Sequence, residues 1–90
     1  MQHKNEKTIR LIEMFGNKVK EKREENYRSR RLFAYEYELD SGNLTRIENG
    51  KIDPKLTMLW RISEALNIPL SQLFKELESE LGKNFHINDV

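Results

Sequence analysis

The stretch SRRLFAYEYELDSGNLTRIENGK, residues 29–51, contains two short helical patterns separated by a tight break. The first pattern carries apolar side chains at the spacing of one helix face: Leu32, Phe33, Ala34 and Tyr37. Ser29 precedes it as a candidate N-cap, so we expect a helix over about residues 30–37. Asp40 is a second candidate N-cap and predicts another helix from Ser41. The short break makes the two helices cross steeply, as helix-turn-helix units do.

The second predicted helix has an outer face of small polar residues. Leu44 and Ile47 lie three apart and face inward together. The opposite side then carries Gly42, Thr45, Arg46 and Asn49, flanked by Ser41 and Asn43. Small residues let a helix backbone approach the DNA major groove, where one arginine can pair bidentately with a guanine edge. The alternative is a solvated face with no ligand.

This stretch, together with its flanking segments, resembles the Xre and Cro type helix-turn-helix domains of phage repressors and bacterial regulators over about residues 15–74. The resemblance depends on Ser29, Phe33-Ala34, Leu39, Leu44, the run RIENGK at 46–51, Pro54 and the segment 59–68. It implies an all-α, compact five-helix bundle of the lambda-repressor-like type. Residues 1–14 would then be an N-terminal extension, and residues 75–90 a C-terminal helix extension and tail.

The resemblance also implies roles for individual residues. Base edges would be contacted by Ser41, Gly42, Asn43, Thr45 and Arg46, with Arg46 the main determinant of specificity. Phosphates would be bound by Arg30, which replaces the family's usual glutamine, and by Asn49 and Lys51. Arg23 and Glu48 would form a structural ion pair.

Two departures from the family pattern concern turns. Glu38 stands where a glycine commonly closes the turn between the two helices, and Asn26-Tyr27-Arg28 stands where the first helix often ends in Gly-Leu. We expect Asn26 to adopt a left-handed C-cap. Glu38 and Asp40 place negative charge beside the expected groove-binding helix.

Charge is distributed unevenly along the chain. Residues 1–31 hold ten Lys and Arg against five Glu, a balance of +5, and residues 32–90 hold six against ten acidic residues, a balance of −4. The pattern predicts a basic surface formed by Lys18, Lys20, Lys22, Arg28, Arg30 and Arg31, with the acidic part facing away from DNA. For the lysines, the alternative is that they only keep the helix soluble.

Composition indicates one small domain and argues against several classes of function. Ninety residues leave no room for a separate sensor domain, so no small-molecule substrate or effector pocket is expected. The chain has no cysteine, and His3 and His86 lie at opposite ends, so we predict no cofactor, no metal site and no enzyme. The sequence contains no membrane-length apolar run, and we expect a cytoplasmic protein.

Outside the motif, three further helices are predicted. We expect an amphipathic helix from about Thr8 to Glu25, with Gly16 as a candidate interruption. The segment up to Met14 is either an extension of the family's first helix or a loose arm. An arm carrying His3, Lys4, Lys7 and Arg10 would contact a DNA backbone or, as we rather expect of it, be a frayed terminus. A fourth helix follows Pro54, with Thr57 as its cap and Trp60 in the core. A fifth starts between Pro69 and Ser71 and continues to Gly82.

Apolar residues near the C-terminus are the candidate surface for a homodimer: Leu77, Leu81, Phe85 and Ile87, with Val90 beyond them. Phe85 and Ile87 would form a short strand or arm in that interface, or else belong to a disordered tail. A twofold protein is expected because half-sites about one DNA turn apart require one.

These patterns favour a sequence-specific regulator, a repressor that binds double-stranded DNA at an inverted-repeat operator and performs no catalysis. The sequence does not distinguish among a phage-like repressor, a restriction controller and an antitoxin. An antitoxin would also bind a toxin protein, through the acidic C-terminal half. A protein-interaction module that keeps the fold without binding DNA is the alternative in another class.

Overall fold

The computed structural model describes residues 5–26 and 29–88, and the regular structure in these residues is helical. Five helices follow one another along the chain: α1 Glu6–Glu25, α2 Arg30–Glu36, α3 Ser41–Glu48, α4 Leu56–Leu66 and α5 Leu70–Leu81. The predicted all-α, five-helix architecture is confirmed. Within the described residues, no helix combines the length and the apolar character that crossing a bilayer requires.

Side-chain caps fix where the two helices of the central motif begin. The Ser29 hydroxyl accepts a hydrogen bond from the Leu32 amide at 3.1 Å, and the Asp40 carboxylate accepts one from the Asn43 amide at 2.9 Å. Each cap binds an amide that has no partner within its helix, which contributes about 1 kcal/mol. Both predicted helix starts are therefore confirmed.

The first helix is continuous from residue 6 to residue 25. Asn5 caps it by accepting from the Thr8 amide at 2.8 Å, and Ile12 is buried in the core. Residues 6–14, including Lys7 and Arg10, thus form the predicted extension of the first helix, and the alternative of a loose or frayed arm is wrong for them. His3 and Lys4 lie outside the described residues.

Gly16 does not interrupt α1 but permits its closest approach to α3. A methyl group at this position would overlap the carbonyl oxygen of Ile47 and lie 3.1 Å from that of Glu48. The last turn of α3 therefore packs directly on the α1 backbone, and the predicted interruption is wrong.

Two helix ends differ from the sequence prediction. Asn26 has φ −95° and ψ 10°, so the expected left-handed C-cap is absent there. The left-handed conformation instead occurs at Glu38, with φ 54°. Its neighbour Leu39 donates its amide to the Ala34 carbonyl at 2.8 Å, which closes α2. Glu38 thus takes the backbone conformation that the family's usual glycine adopts easily.

The fourth helix begins one residue before the predicted cap Thr57. Its N-cap is Lys55, which makes no side-chain capping bond, and Leu56 is its first residue. Thr57 is exposed within the first turn. The fixed φ of the preceding Pro54 and the burial of the apolar side of α4 position this helix without a polar cap.

The core collects apolar side chains from all five helices and the α2–α3 turn: Phe15, Val19, Phe33, Ala34, Leu39, Leu44, Ile47, Ile62, Ala65, Leu66, Leu73 and Leu77. Trp60 is not among them, because its side chain is 59% exposed. Trp60 precedes Ile62 by two residues, and about 200° of helix rotation puts it on the side opposite to that buried residue. The prediction of a core Trp60 is wrong.

Ion pairs link the basic side of α1 to the acidic side of α5. The Lys18 ammonium is almost fully buried and binds Glu80, with Glu76 at 3.7 Å, while Lys22 lies 3.0 Å from Glu76. The bond to Glu80 raises the pKa of Lys18, and the bond from Lys22 lowers the pKa of Glu76. Lys18 and Lys22 are therefore engaged inside the molecule, and their predicted role in a basic DNA-facing surface is wrong.

Candidate nucleic-acid interface

The outer side of α3 lies at the molecular surface. Ser41, Arg46 and Asn49 are exposed, while Gly42, Asn43 and Thr45 are partly covered. Leu44 and Ile47 are fully buried on the other side and anchor the helix to the core. The residues expected to contact base edges thus share one accessible face of a short, capped helix.

Arg46 is held in a defined position on this face. Its Nη2 donates to the Asn43 side-chain oxygen at 2.5 Å. Both terminal nitrogens lie 3.6 Å from the point where a Gly42 Cβ would be, so the guanidinium rests beside the bare backbone of Gly42. The planar guanidinium, with its hydrogen-bond donors exposed at the surface, has the geometry that pairs with O6 and N7 of a guanine.

Thr45 has its hydroxyl occupied by two contacts within the protein. The hydroxyl donates to the Ser41 carbonyl at 2.8 Å and accepts from Nη1 of Arg30 at 3.4 Å. With its proton bound to the backbone, the hydroxyl no longer serves as a free donor. The Thr45 methyl group is then the part suited to a base, as in apolar contacts with a thymine methyl.

A buried carboxylate binds two arginines beneath α3. Glu48 accepts from Nε and Nη2 of Arg23 at 2.7 and 2.8 Å, and from Nε of Arg30 at 3.0 Å. Glu48 is 2% exposed, and its hydrogen bond raises the pKa of Arg23. The expected Arg23–Glu48 pair is present, and Arg30 joins it. Two guanidinium groups against one carboxylate leave the cluster with one excess positive charge.

Arg30 is the member of this cluster that reaches the surface. Its side chain is 30% exposed, and it contacts both Glu48 and Thr45 of α3. A residue expected only to bind phosphate therefore also connects α2 to the predicted recognition helix. Sequence reasoning missed this, since the contacting residues lie 15 and 18 positions apart.

The end of α3 places Asn49 and Lys51 at the surface. Gly50 has φ 69°, and the Lys51 amide donates to the Arg46 carbonyl at 2.8 Å, a glycine C-cap motif. A Cβ on Gly50 would lie 2.7 Å from Cγ and 3.0 Å from Cα of Glu13, so α1 fixes the position of this turn. Asn49 and Lys51 are exposed beside it.

The C-terminal candidates for dimerisation face their own chain. Leu77 is 3% exposed and belongs to the core, so its assignment to a dimer surface is wrong. Leu81, Phe85 and Ile87 are partly buried and line a groove of about 690 Å³. The other members of that lining include Leu11 of α1 and Phe74 of α5.

The segment that follows α5 lies against the start of α1. The Ile87 carbonyl accepts from the Asn5 side chain at 3.4 Å, and residues 82–88 contain no strand. The alternative of a disordered tail is therefore wrong for these residues, and no strand forms among them within the chain. Val90 and Arg28 lie outside the described residues.

Comparison with known proteins agrees with this geometry. A model of the helix-turn-helix family matches residues 19–73, which is more than half of the chain. The control protein C.MunI of Mycoplasma sp. is 43% identical over 67 residues, covering 73% of this chain and 90% of that protein. The family match includes α2, α3 and α4 in full.

Proposed function

The chain belongs to the Xre/Cro-type helix-turn-helix family of DNA-binding transcriptional regulators, and on this premise we propose that it binds an inverted-repeat operator as a homodimer. The observation that carries this proposal is the placement of Arg46. Its guanidinium lies on the outer side of α3, oriented by Asn43 and unobstructed by any side chain at position 42.

In this proposal the outer side of α3 enters the major groove. Arg46 donates to O6 and N7 of a guanine, and Gly42 allows the helix backbone to come close to the bases. Ser41 and the Asn43 amide lie at the start of the same face, and Thr45 offers its methyl group. Sequence specificity then depends mainly on Arg46, because it presents the largest set of donors in a fixed geometry.

Phosphates are bound at the two ends of this face. Asn49 and Lys51 approach one phosphate next to the turn that Gly50 closes. Arg30 approaches another, and the excess positive charge of the Arg23, Arg30 and Glu48 cluster favours an anion there. Because Arg30 also holds α3, binding its phosphate would fix the orientation of the recognition helix as well as its register.

Regulation follows from occupancy of the operator. A dimer bound over a promoter blocks polymerase, which makes a repressor the simplest form of this activity. Among the three kinds of regulator that the sequence leaves open, similarity to a control protein favours a restriction controller over a phage-like repressor or an antitoxin.

Selection from a random duplex pool, followed by binding measurements across a salt series, tests the proposal. We expect the selected site to be an inverted repeat. Arg46→Ala should cost about 1–3 kcal/mol on that site and relax one base position in each half. Arg30→Ala should weaken binding to all sequences and reduce the salt slope by about one unit.

Arg31→Ala is the matched control, because Arg31 is the exposed neighbour of Arg30 on the same helix and contacts neither Glu48 nor Thr45 in the described structure. The Arg31→Ala variant should select the same DNA sequence as the parent protein at every base position. Failure of the pool to yield a common site, or equal binding by the Arg46→Ala variant and the parent protein, would refute the proposal.

A further inference from the structure

The turn that ends α3 contains an asparagine followed directly by a glycine, Asn49-Gly50. We propose that Asn49 is a site of spontaneous deamidation, and that this reaction removes the phosphate contact of its side-chain amide. The inference rests on the proposed function for that contact, whereas the reaction itself requires no partner. Molecules that are not bound to DNA would then lose their affinity for it with age.

The reaction joins the Asn49 side chain to the main chain. The Gly50 nitrogen attacks Cγ of Asn49, so a bond between these two atoms forms and the bond from Cγ to Nδ2 breaks. The side-chain nitrogen leaves as ammonia, which takes up the proton that the Gly50 nitrogen gives up. Water then opens the resulting succinimide ring. Addition of water at Cγ gives aspartate, and addition at the main-chain carbon gives isoaspartate.

Gly50 makes Asn49 the asparagine best suited to this reaction. A glycine nitrogen can approach Cγ closely because no side chain stands beside it. Every other asparagine of the chain is followed by a residue with a side chain: Asn5, Asn17, Asn26, Asn43, Asn67, Asn84 and Asn88. Asn49 is also exposed, and no hydrogen bond in the described part of the chain holds its side-chain amide. Sequence and exposure therefore select the same residue.

Backbone geometry restrains the reaction while the turn is closed. Asn49 has ψ 4°, so the Gly50 nitrogen is turned away from the side chain that it must attack. The Gly50 amide donates to the Ile47 carbonyl at 3.0 Å, and the Lys51 amide donates to the Arg46 carbonyl at 2.8 Å. The rotation that brings the Gly50 nitrogen to Cγ breaks both bonds. The rate of deamidation is therefore set by how often this turn opens.

DNA binding should keep the turn closed. Helix ends open locally at a much lower free energy than the core, and the buried Leu44 and Ile47 hold the rest of α3 in place. A phosphate bound by Asn49 and Lys51 requires both residues in their native positions, so it stabilises the closed turn. A bound molecule is thus protected from deamidation, while a free molecule reacts.

The products carry a charge that opposes DNA binding. Aspartate and isoaspartate are ionised at neutral pH, and their carboxylate would lie where the Asn49 amide meets a phosphate. Isoaspartate also lengthens the main chain by one carbon, which displaces Lys51 from the turn. Like charges in contact weaken a complex, so each product should bind the operator at least about 10-fold more weakly.

Mass spectrometry of the aged protein tests the reaction without DNA. Trypsin releases residues 47–51 as one peptide, because it cleaves after Arg46 and Lys51. We expect this peptide to gain the mass difference between an amide and a carboxylic acid, and to separate into aspartate and isoaspartate forms. The rate should rise with pH, since the Gly50 nitrogen attacks after losing its proton. Asn17, which is exposed on α1 and precedes a lysine, should remain unchanged.

Two variants and the selected duplex connect the reaction to DNA binding. Asn49→Gln can form only a larger ring, so it should stay unmodified and keep its initial affinity over the same incubation. Asn49→Asp should reproduce most of the affinity that the aged parent protein loses. Selected duplex at about 100 times Kd should slow deamidation of the parent at least about 10-fold, and a scrambled duplex should not.

Three results would overturn the inference: a folded parent protein that deamidates no faster at Asn49 than at Asn17, an Asn49→Asp variant that binds the operator like the parent, or a tightly bound duplex that leaves the rate unchanged. A parent protein that deamidates at Asn49 but binds no duplex would refute the proposed operator binding and support the modification site.

Discussion

Glu48 has the most constrained side chain of the candidate interface. Its carboxylate is buried and accepts three hydrogen bonds from the guanidinium groups of Arg23 and Arg30. A buried charge is tolerated when it is paired and hydrogen-bonded, and the loss of one partner leaves the others uncompensated. Glu48 therefore fixes α3 against both α1 and α2.

Glu48→Gln should lower the free energy of unfolding by about 3–5 kcal/mol, because two arginines would remain charged with no carboxylate beside them. Urea denaturation measures this loss. Glu78→Gln, at an exposed position on α5, is the control and should change stability by less than about 0.5 kcal/mol. Equal stability of the two variants would contradict the structural importance of the cluster.

Glu38 occupies a left-handed conformation that favours glycine. Glu38→Gly should raise the free energy of unfolding by about 0.5–1 kcal/mol, since relief of the backbone strain exceeds the added flexibility of the unfolded chain. Thermal denaturation gives the comparison. Glu36→Gly, two residues earlier at the last position of α2, should destabilise by up to about 1 kcal/mol, because glycine loses more conformational entropy than other residues in a helix. Destabilisation at both positions would argue against the left-handed turn.

At the level of helices, the contact between α1 and α3 positions the interface. Gly16 lets the carbonyl end of α3 lie directly on the α1 backbone, and Gly50 sits against Glu13 just beyond it. Both contacts involve backbone atoms, which cannot rotate away from an added side chain. The orientation of α3 relative to α1 therefore depends on Gly16 and Gly50, which have no side chain to hold the two helices apart.

Gly16→Ala should lower the free energy of unfolding by about 1–3 kcal/mol, because its methyl group forces the two helices apart. It should also weaken binding to the selected operator, since α3 must shift. Asn17→Ala, at the next and exposed position of α1, is the matched control. An alanine at position 16 that leaves stability and binding unchanged would show that the helices do not pack this closely.

The sequence predicted the helix starts at Ser29 and Asp40 because a cap is a local interaction, formed by residues three positions apart. It also predicted the buried side of α3 from the spacing of Leu44 and Ile47. These features depend only on helical geometry, and the structure agrees with them.

Features that depend on packing between helices were not predictable in the same way. The burial of Lys18 requires knowing that α5 lies alongside α1, and the exposure of Trp60 requires knowing which side of α4 meets the core. The binding of Arg30 to Glu48 likewise joins residues from two helices. The family resemblance indicated the Arg23–Glu48 pair but did not reveal this third member.

For the molecule as a whole, several charged side chains form ion pairs within the fold and are not available to DNA. The net charge is +1, and two of the three α1 lysines predicted to face DNA, Lys18 and Lys22, are paired with α5. Attraction to phosphate must then come from a small number of surface groups, including Arg30, Arg46 and Lys51. The affinity of such a regulator for DNA should depend more on individual hydrogen bonds to bases and phosphates than on a broad basic surface.

Stability should fall at both extremes of pH through the α1–α5 pairs. The pKa of Glu76 is lowered by Lys22, so its contribution is complete above the ordinary glutamate pKa, about 4.3, and is lost as pH falls through the lowered value. The pKa of Lys18 is raised by Glu80, so its contribution is complete below about 10.4 and is lost as pH rises further.

Urea midpoints from pH 7 down to pH 2.5 test the acid side of this prediction. The parent protein should exceed Glu76→Gln in stability at neutral pH, and the difference should disappear in acid. Glu78→Gln, two residues along α5, should show no comparable convergence. A difference between the parent and Glu76→Gln that is independent of pH would exclude the ion pair as its cause.

An NMR titration of the labelled protein with its selected duplex tests most directly whether the outer side of α3 is the DNA-binding surface. We predict the largest chemical-shift changes at Ser41, Asn43 and Arg46, with smaller changes at Arg30 and Lys51, and none of comparable size with a scrambled duplex. Changes confined to α4 and α5, or identical changes with both duplexes, would contradict the account.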